Sequence, residues 1–250
     1  MVMVKKERDI EDFLHHIYIH MNEADQFVMF SGLTMQQFVR SLGPLQNLLL
    51  LKHKYEDSSF NIHTQLEFVP DEEVLAFTKE FMDNPTDLRW IDFKDEHNLN
   101  MLTSQEQAEL LYIGHKKEPI RSPFYYQLQN RFVYLSNEEE SMTKIYFREL
   151  NDSLRLVVNI LNQVVLTKER GASFWRRKQK VGYPELTMEQ IFSHKPVLKE
   201  GVLLSLYKRE KSKVSYDLEL RLLPESVYPD EIWDELTSLM KQSPDETIRF

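Results

Sequence analysis

Cysteine is absent from the 250-residue sequence. Without a thiol the chain has no disulfide framework, no thiolate nucleophile, no cysteine-ligated iron–sulfur cluster and no cysteine zinc site. Several enzyme classes, and the small secreted domains that depend on disulfides, are therefore excluded before any motif is considered.

Glycine is scarce, with only six residues. None of them forms a GxGxxG fingerprint, a phosphate-binding loop or a GxSxG elbow, all of which need glycine so that the backbone can turn sharply or approach a ligand closely. The sequence therefore does not predict nucleotide binding by these loops, although a loop of another type stays open.

Long apolar runs are also missing. Runs such as Leu48–Leu51 are far shorter than the ~18 residues of a membrane span. The first residues, MVMVKKERDIEDF, carry charge where a secretory signal needs its apolar core. We therefore expect a cytoplasmic protein that does not enter a membrane.

The overall charge is acidic, with a formal net value of −9 at pH 7. General attraction to nucleic acid or to anionic lipid is not expected from such a charge, although a local basic patch can override the average. With 42% hydrophobic and 28% charged residues, the composition is that of a globular protein with a sizeable core.

A short motif occurs twice, as LTMQQF at position 33 and LTMEQI at position 186. In both places a threonine, Thr34 or Thr187, is a good helix N-cap. The same order of signals follows: a short helix, an apolar strand, a polar turn, an alternating return strand, a proline and an acidic helix start. This order predicts a duplicated helix–hairpin–helix unit at residues 33–83 and 186–241.

The return strands alternate strictly between apolar and polar residues, which predicts one buried face in each hairpin. The buried sets are Phe60, Ile62, Thr64, Leu66 and Phe68, and Val214, Tyr216, Leu218, Leu220 and Leu222. The opposite face would pair Lys52 and Lys54 with Gln65 and Glu67, and Lys208 or Arg209 with Asp217 and Glu219, and opposite charges of this kind suit a solvated sheet surface.

A fainter third copy is predicted at residues 102–167. It begins with LTSQEQ, where Ser104 and Gln107 have capping-box spacing, and continues through the strand pair RFVYLS and KIYFREL, but the added segment RSPFYYQLQN interrupts the pattern. Its closing helix, NDSLRLVVNILNQVVL, is apolar on two sides and is expected to be buried on both. An amphipathic helix is also predicted at residues 9–22.

These patterns predict the α+β class, with antiparallel β-hairpins packed on one face by helices. The hairpins are built from two repeated units, or three with the fainter copy. We expect residues 1–250 to form a single compact body.

Metal and acid–base chemistry is not predicted strongly anywhere. His16 and His20 share a helical stripe with Asp12 and Glu23, which suits zinc ligands, but that stripe lies opposite the apolar face and is better explained as solvated. His53 and His63 lie on the strands of the first hairpin, where a wet sheet surface explains them equally well. No metal and no cofactor are predicted.

Carboxylates cluster at two places, Asp92-Asp95-Glu96-His97 and Glu138-Glu139-Glu140. General acid–base catalysis needs two carboxylates in different environments, whereas adjacent turn glutamates are simply exposed. Together with His115, the first cluster is the set from which an enzyme of unfamiliar type would draw its residues, in a cleft between units.

The segment from Thr167 to Tyr183, TKERGASFWRRKQKVGY, concentrates basic charge within an acidic protein. It has one acid, Glu169, against Lys168, Arg170, Arg176, Arg177, Lys178 and Lys180, and Phe174 and Trp175 precede the arginines. Arginine beside tryptophan is typical of protein interface hot spots and also stacks on single-stranded bases. A solvated connector between units is the alternative, since most charge runs are solvated surface.

We therefore expect a non-enzymatic protein-interaction module, regulatory or adaptor in kind, with Phe174, Trp175, Arg176, Arg177, Lys178 and Lys180 as the residues that bind a protein partner. RNA or single-stranded DNA binding by the same segment is the first alternative, and an enzyme is the second.

Overall fold

A computed structural model describes residues 10–52, 55–80, 87–136, 142–173, 183–209 and 215–250. Short 3-10 helices lie at Ile10–Asp12 and Pro229–Glu231. The strands are β1 Phe13–Asn22, β2 Phe27–Ser31, β3 Asn47–Leu50, β4 Ser59–Asn61, β5 Leu66–Val69, β6 Arg89–Phe93, β7 Phe132–Ser136, β8 Met142–Phe147, β9 Val202–Lys208, β10 Tyr216–Leu222 and β11 Glu246–Arg249. The helices are α1 Met35–Ser41, α2 Val74–Glu80, α3 Glu96–Leu99, α4 Ser104–Lys116, α5 Asn151–Ser173, α6 Met188–Phe192, α7 Lys195–Glu200 and α8 Leu236–Lys241.

The chain divides into two compact units. The internal unit is Met21–Leu156, and the terminal unit combines Met1–His20 with Val157–Phe250. The internal sheet has the order β2-β8-β7-β6-β3-β5-β4 and the terminal sheet the order β11-β10-β9-β1, with antiparallel pairing in both. The α+β class and the antiparallel hairpins are confirmed. The single compact body stays a prediction.

The terminal sheet is buried on both faces. Leu204, Leu206, Leu218 and Leu220 are fully buried on one face. On the other face Ser205 donates to the sulfur of Met240 on α8, at 3.6 Å, and Asp217 and Glu219 are each only 4% exposed. The predicted solvated face is therefore wrong here, although the predicted pair of Arg209 and Asp217 forms, with Nε 3.0 Å from Oδ1.

The internal sheet is also covered on both faces. Phe38 of α1 packs edge-to-face against Trp90, Phe132 and Tyr134 on one side. On the other side, Leu110 and Ile113 of α4 join a separate core cluster that includes Ile91 and Val133. The prediction of helices on one face only is thus incomplete, because strands such as β6, with every residue buried, have an apolar residue for each side.

The predicted N-terminal helix at residues 9–22 is wrong, since β1 occupies Phe13–Asn22. Its sequence is rich in β-branched and aromatic residues, and Ile17, Tyr18 and Ile19 are consecutively buried, which suits a strand with both faces covered. The sequence fits the periodicity of a helix and that of a strand nearly equally. Pairing with β9, such as Ile17 with Leu204, makes the segment a strand.

The first return strand is also different from the prediction. Instead of one strand through Phe68, β4 and β5 form a tight hairpin in which the backbone N–H of Gln65 donates to the carbonyl of Asn61 at 2.9 Å. Phe60 and Ile62 are 63% and 84% exposed, so they are not part of a buried face. In the second hairpin the prediction is confirmed at Tyr216, Leu218 and Leu220, all fully buried, and is wrong at Leu222, which is exposed. Val214 lies outside the described residues.

The helices that begin at the two LTM motifs are confirmed. Thr34 caps α1 and Thr187 caps α6, each in a full capping box. A third box begins at LTSQEQ, but its residues are Thr103 and Glu106 rather than the predicted Ser104 and Gln107. The predicted burial of α5 on both sides is confirmed, since Leu154, Leu156, Val157, Ile160, Leu161 and Val165 are all buried.

No helix within the described ranges combines the length and the apolar character needed to cross a bilayer.

Candidate interaction site

The predicted binding residues Phe174, Trp175, Arg176, Arg177, Lys178 and Lys180 lie outside the described residues, as do His53 and Glu138-Glu139-Glu140. The structure does describe both flanks of the basic segment. One flank is the last part of α5 through Ser173, and the other begins at Tyr183 and leads into α6. The described part of the candidate site is therefore these two flanks.

Glu169 anchors the first flank to the terminal sheet. Its carboxylate is ion-paired with the ammonium of Lys208 on β9 and accepts a hydrogen bond from the hydroxyl of Tyr216 on β10. Burial raises the pKa of Tyr216, and the hydrogen bond to Glu169 raises it further, so the phenol stays protonated and donates. With Glu169 only 8% exposed, the single acid of the basic segment is directed inward.

The neighbours of Glu169 face the opposite way. Lys168 and Arg170 are exposed, and neither forms an ion pair with another described residue. The carboxylate of Glu169 is directed to Lys208, whereas the side chains of Lys168 and Arg170 are directed to solvent. The start of the segment therefore presents positive charge to solvent.

Asn162 anchors the second flank to the middle of α5. Its side-chain amide donates to the carbonyl oxygen of Leu186 at 2.9 Å and its carbonyl accepts the backbone N–H of Leu186 at 2.8 Å. This two-point contact fixes both the position and the orientation of the backbone, and the Thr187 capping box follows directly. The chain is therefore anchored at Glu169, near the start of the basic segment, and again at Leu186, three residues beyond its end.

Other candidate residues have local structural contacts. The buried carboxylate of Asp92 accepts the backbone N–H groups of Arg131 and Phe132 at 2.8 and 2.7 Å, and burial raises its pKa. Asp95 caps α3 by accepting the N–H of His97 at 2.9 Å. Both carboxylates therefore satisfy backbone donors, which explains their presence without catalysis.

The remaining members of that set, Glu96, His97 and His115, are exposed. The enzyme hypothesis, which places a site in a cleft between units, stays a prediction.

The histidines that the structure describes are not arranged as metal ligands. His16 and His20 lie on a strand, where residues four apart are separated by about 13 Å along the chain, and His16 Nδ1 is 2.9 Å from the hydroxyl of Ser205. His63 lies beside the start of α4, with Nε2 3.0 Å from the carbonyl oxygen of Leu102. In the part of the chain that the structure describes, no three side chains of metal-binding type come together.

The network of Glu169, Lys208 and Tyr216 was missed by sequence reasoning. The sequence predicts that Lys208 lies on a solvated face with Asp217, whereas its partner in the structure is Glu169 on α5. One signal was available, because Glu169 follows Leu161 and Val165 at helical spacing and so continues the buried stripe of α5.

Comparison of the chain with protein-family models, with curated proteins and with solved structures gave no match.

Proposed function

We propose that this protein is a non-enzymatic interaction module that binds an acidic surface of a partner protein through residues 167–183. The observation that carries the proposal is the inward pairing of Glu169 with Lys208 and Tyr216. It directs the one acid of the segment inward and leaves Lys168 and Arg170 exposed, in a segment whose sequence contains four more cations.

The contacts of Glu169 and Leu186 favour a binding role for the basic segment over the role of a simple connector. A loop whose chain is anchored on both sides, at Glu169 and at Leu186, loses less conformational freedom on binding than a free tail, so less of the interaction energy is spent on ordering. Arginine and tryptophan side by side at Trp175 and Arg176 supply the residue types that dominate interface hot spots. In a protein of net charge −9, such a segment is a local positive patch, and its charge favours an acidic surface as the binding partner.

We also infer that residues 33–83 and 186–241 derive from a duplicated helix–hairpin–helix unit. Matching Thr34 and Thr187 capping boxes and an antiparallel pair in each unit, β3 with β5 and β9 with β10, support this. The Thr103 box, in the segment proposed as the fainter third copy, extends the same pattern.

The test compares three proteins in affinity capture from lysate of the source cell, with and without nuclease. The first is the wild type, and the second carries Arg176→Glu, Arg177→Glu and Lys178→Glu. The third is a control with the same change in net charge, Lys79→Glu, Lys94→Glu and Lys116→Glu, at exposed positions on the internal unit.

We expect a nuclease-resistant protein partner that is retained by the wild type and the control and is lost from the segment variant. Retained material that nuclease destroys and salt releases would favour the nucleic-acid alternative. Equal capture by all three proteins would overturn both, and the segment would be a connector.

A further inference from the structure

A cavity of about 460 Å³ opens on the internal unit, at a distance in sequence from the basic segment. Its walls come from the turn between β1 and β2, from residues 118–123 and from β8. The volume lies within the usual range for small-molecule sites, roughly 300–1,000 Å³. Residues 121–123 of the wall belong to the RSPFYYQLQN segment that interrupts the sequence pattern. This added segment therefore helps to form the cavity.

Lys144 supplies the cationic group of this cavity. Its ammonium lies over the ring of Phe27, 4.2 Å from the centroid, and 5.4 Å from the ring centroid of Tyr146. Burial lowers the pKa of Lys144, and the ammonium makes no ion pair with any described residue. The aromatic contacts hold a charge that still lacks an anionic partner.

Two carboxylates, Asp25 and Glu118, line the same cavity. They are close enough to act on the charge of Lys144, whose pKa they raise against the larger effect of burial, yet neither is in contact with its ammonium. Asp25 is instead held by the side chain of Asn22, which donates to its carboxylate at 3.1 Å. Opposite charges therefore face one cavity without neutralising one another directly.

A further cation, Arg121, is already engaged. Its guanidinium is 2.8 Å from the carboxylate of Glu109, so it adds little net charge to the cavity. Among the described residues, the charged groups of this cavity that form no ion pair are the ammonium of Lys144 and the carboxylates of Asp25 and Glu118. A simple anion would face two carboxylates and a simple cation would face Lys144, whereas a molecule with one charge of each sign could satisfy both sides.

The insertion that forms the wall is held in place by buried contacts. The fully buried Asn130 accepts the N–H of Tyr125 at 2.8 Å and donates to the carbonyl of Pro123 at 3.0 Å. Arg148 donates to the carbonyl of Asn130 at 2.7 Å and lies over the ring of Phe124. The cavity is thus formed before any ligand arrives, which lowers the cost of binding.

We propose that this cavity binds a free amino acid. The carboxylate of the ligand would meet the ammonium of Lys144, and its ammonium would meet Asp25 and Glu118. The apolar body would lie against Phe27 and Ile120. This function is separate from partner binding by residues 167–183, and either can fail without the other.

The test measures how tightly the protein binds each of the proteinogenic amino acids, added one at a time as the free ligand, by saturation-transfer NMR and calorimetry. For the tightest binder, two analogues isolate the charges: the N-acetyl derivative lacks the ammonium and the amide derivative lacks the carboxylate. We expect both analogues to bind at least roughly tenfold more weakly, because each leaves a charged group of the protein without its partner.

The variants Lys144→Met and Asp25→Asn are expected to weaken binding by a similar factor, whereas the control Lys116→Met, at an exposed position of α4, is expected to bind as the wild type does.

A second measurement needs no variant. Bound amino acid should protect Lys144 from acetylation by a soluble ester, as measured for each lysine by mass spectrometry.

The proposal is overturned if no amino acid binds at about 10 mM, if the N-acetyl derivative binds as tightly as the free amino acid, or if binding leaves the acetylation of Lys144 unchanged.

Discussion

The imidazole of His16 shows how strongly the surroundings of one residue affect its pKa and protonation state. Burial lowers its pKa from 6.5 to about 4, with smaller contributions from the charges of His15 and Arg221. Its Nδ1 atom is 2.9 Å from Ser205 Oγ on the neighbouring strand. In the folded protein the ring is therefore neutral and hydrogen-bonded over most of the physiological pH range.

This shift predicts a pH-dependent stability. Between pH 6.5 and about 4 the unfolded chain binds a proton at His16 and the folded chain does not, so the free energy of unfolding falls as the pH falls through that window. His16→Gln keeps a hydrogen-bonding group but cannot titrate. We expect urea unfolding between about pH 7 and pH 4.5 to show a loss smaller by roughly 1–2 kcal/mol in the variant. Parallel pH profiles for the two proteins would contradict the assignment.

At the scale of elements, local signals fixed where helices begin. In all three capping boxes the threonine hydroxyl accepts the N–H of the third helical residue, and the side chain of that residue accepts the threonine N–H. Such contacts lie within four consecutive residues, so the sequence alone predicts them. The predicted pair of Ser104 and Gln107 lies one residue beyond the observed pair of Thr103 and Glu106, because Ser104 also fits the pattern.

The capping boxes make a prediction for stability. Thr34→Ala, Thr103→Ala and Thr187→Ala should each lower the free energy of unfolding by about 1 kcal/mol, since each leaves a helical N–H without its acceptor. Serine at the same position keeps the hydroxyl and is the matched control. Chemical denaturation of the six single variants tests this, and serine variants as unstable as the alanine variants would show that the methyl group, and not the cap, is what matters.

Strand identity, in contrast, depended on partners. The segment that forms β1 satisfies a helical stripe through Phe13, Leu14 and Ile17 as well as it satisfies a strand. Only its pairing with β9, from Phe13 with Tyr207 to Ile19 with Val202, distinguishes the two. That partner lies about three quarters of the chain length away in sequence, where no local pattern can specify it.

At the scale of the whole molecule, both ends of the chain contribute to one unit. The terminal unit takes β1 from the first residues and β9, β10 and β11 from the last. Its sheet therefore depends on contacts between residues far apart in sequence, which must form after the chain has closed a long loop.

This arrangement predicts different effects for two deletions. Removing residues 1–20 takes away β1, one of the two strands paired with β9, so amide protection in Val202–Lys208 should fall. Removing residues 246–250 takes away β11 at the opposite edge, so protection should fall first in Tyr216–Leu222. Hydrogen exchange followed by mass spectrometry measures both. If β9 keeps its protection without residues 1–20, the strand order is wrong.

The sequence by itself determined the features whose causes are local: the α+β class, the helix starts at Thr34 and Thr187, the strand pair of β7 and β8, and the burial of α5 on two sides. Tertiary structure decided what depends on distant partners. In the tertiary structure, Phe13–Asn22 forms a strand. Asp217 and Glu219 are buried on a sheet face predicted to be solvated, and Glu169 points inward and pairs with Lys208. The physical reason is that periodicity records which side chains avoid water, whereas only the assembled fold supplies the hydrogen bonds and opposite charges that let polar groups be buried.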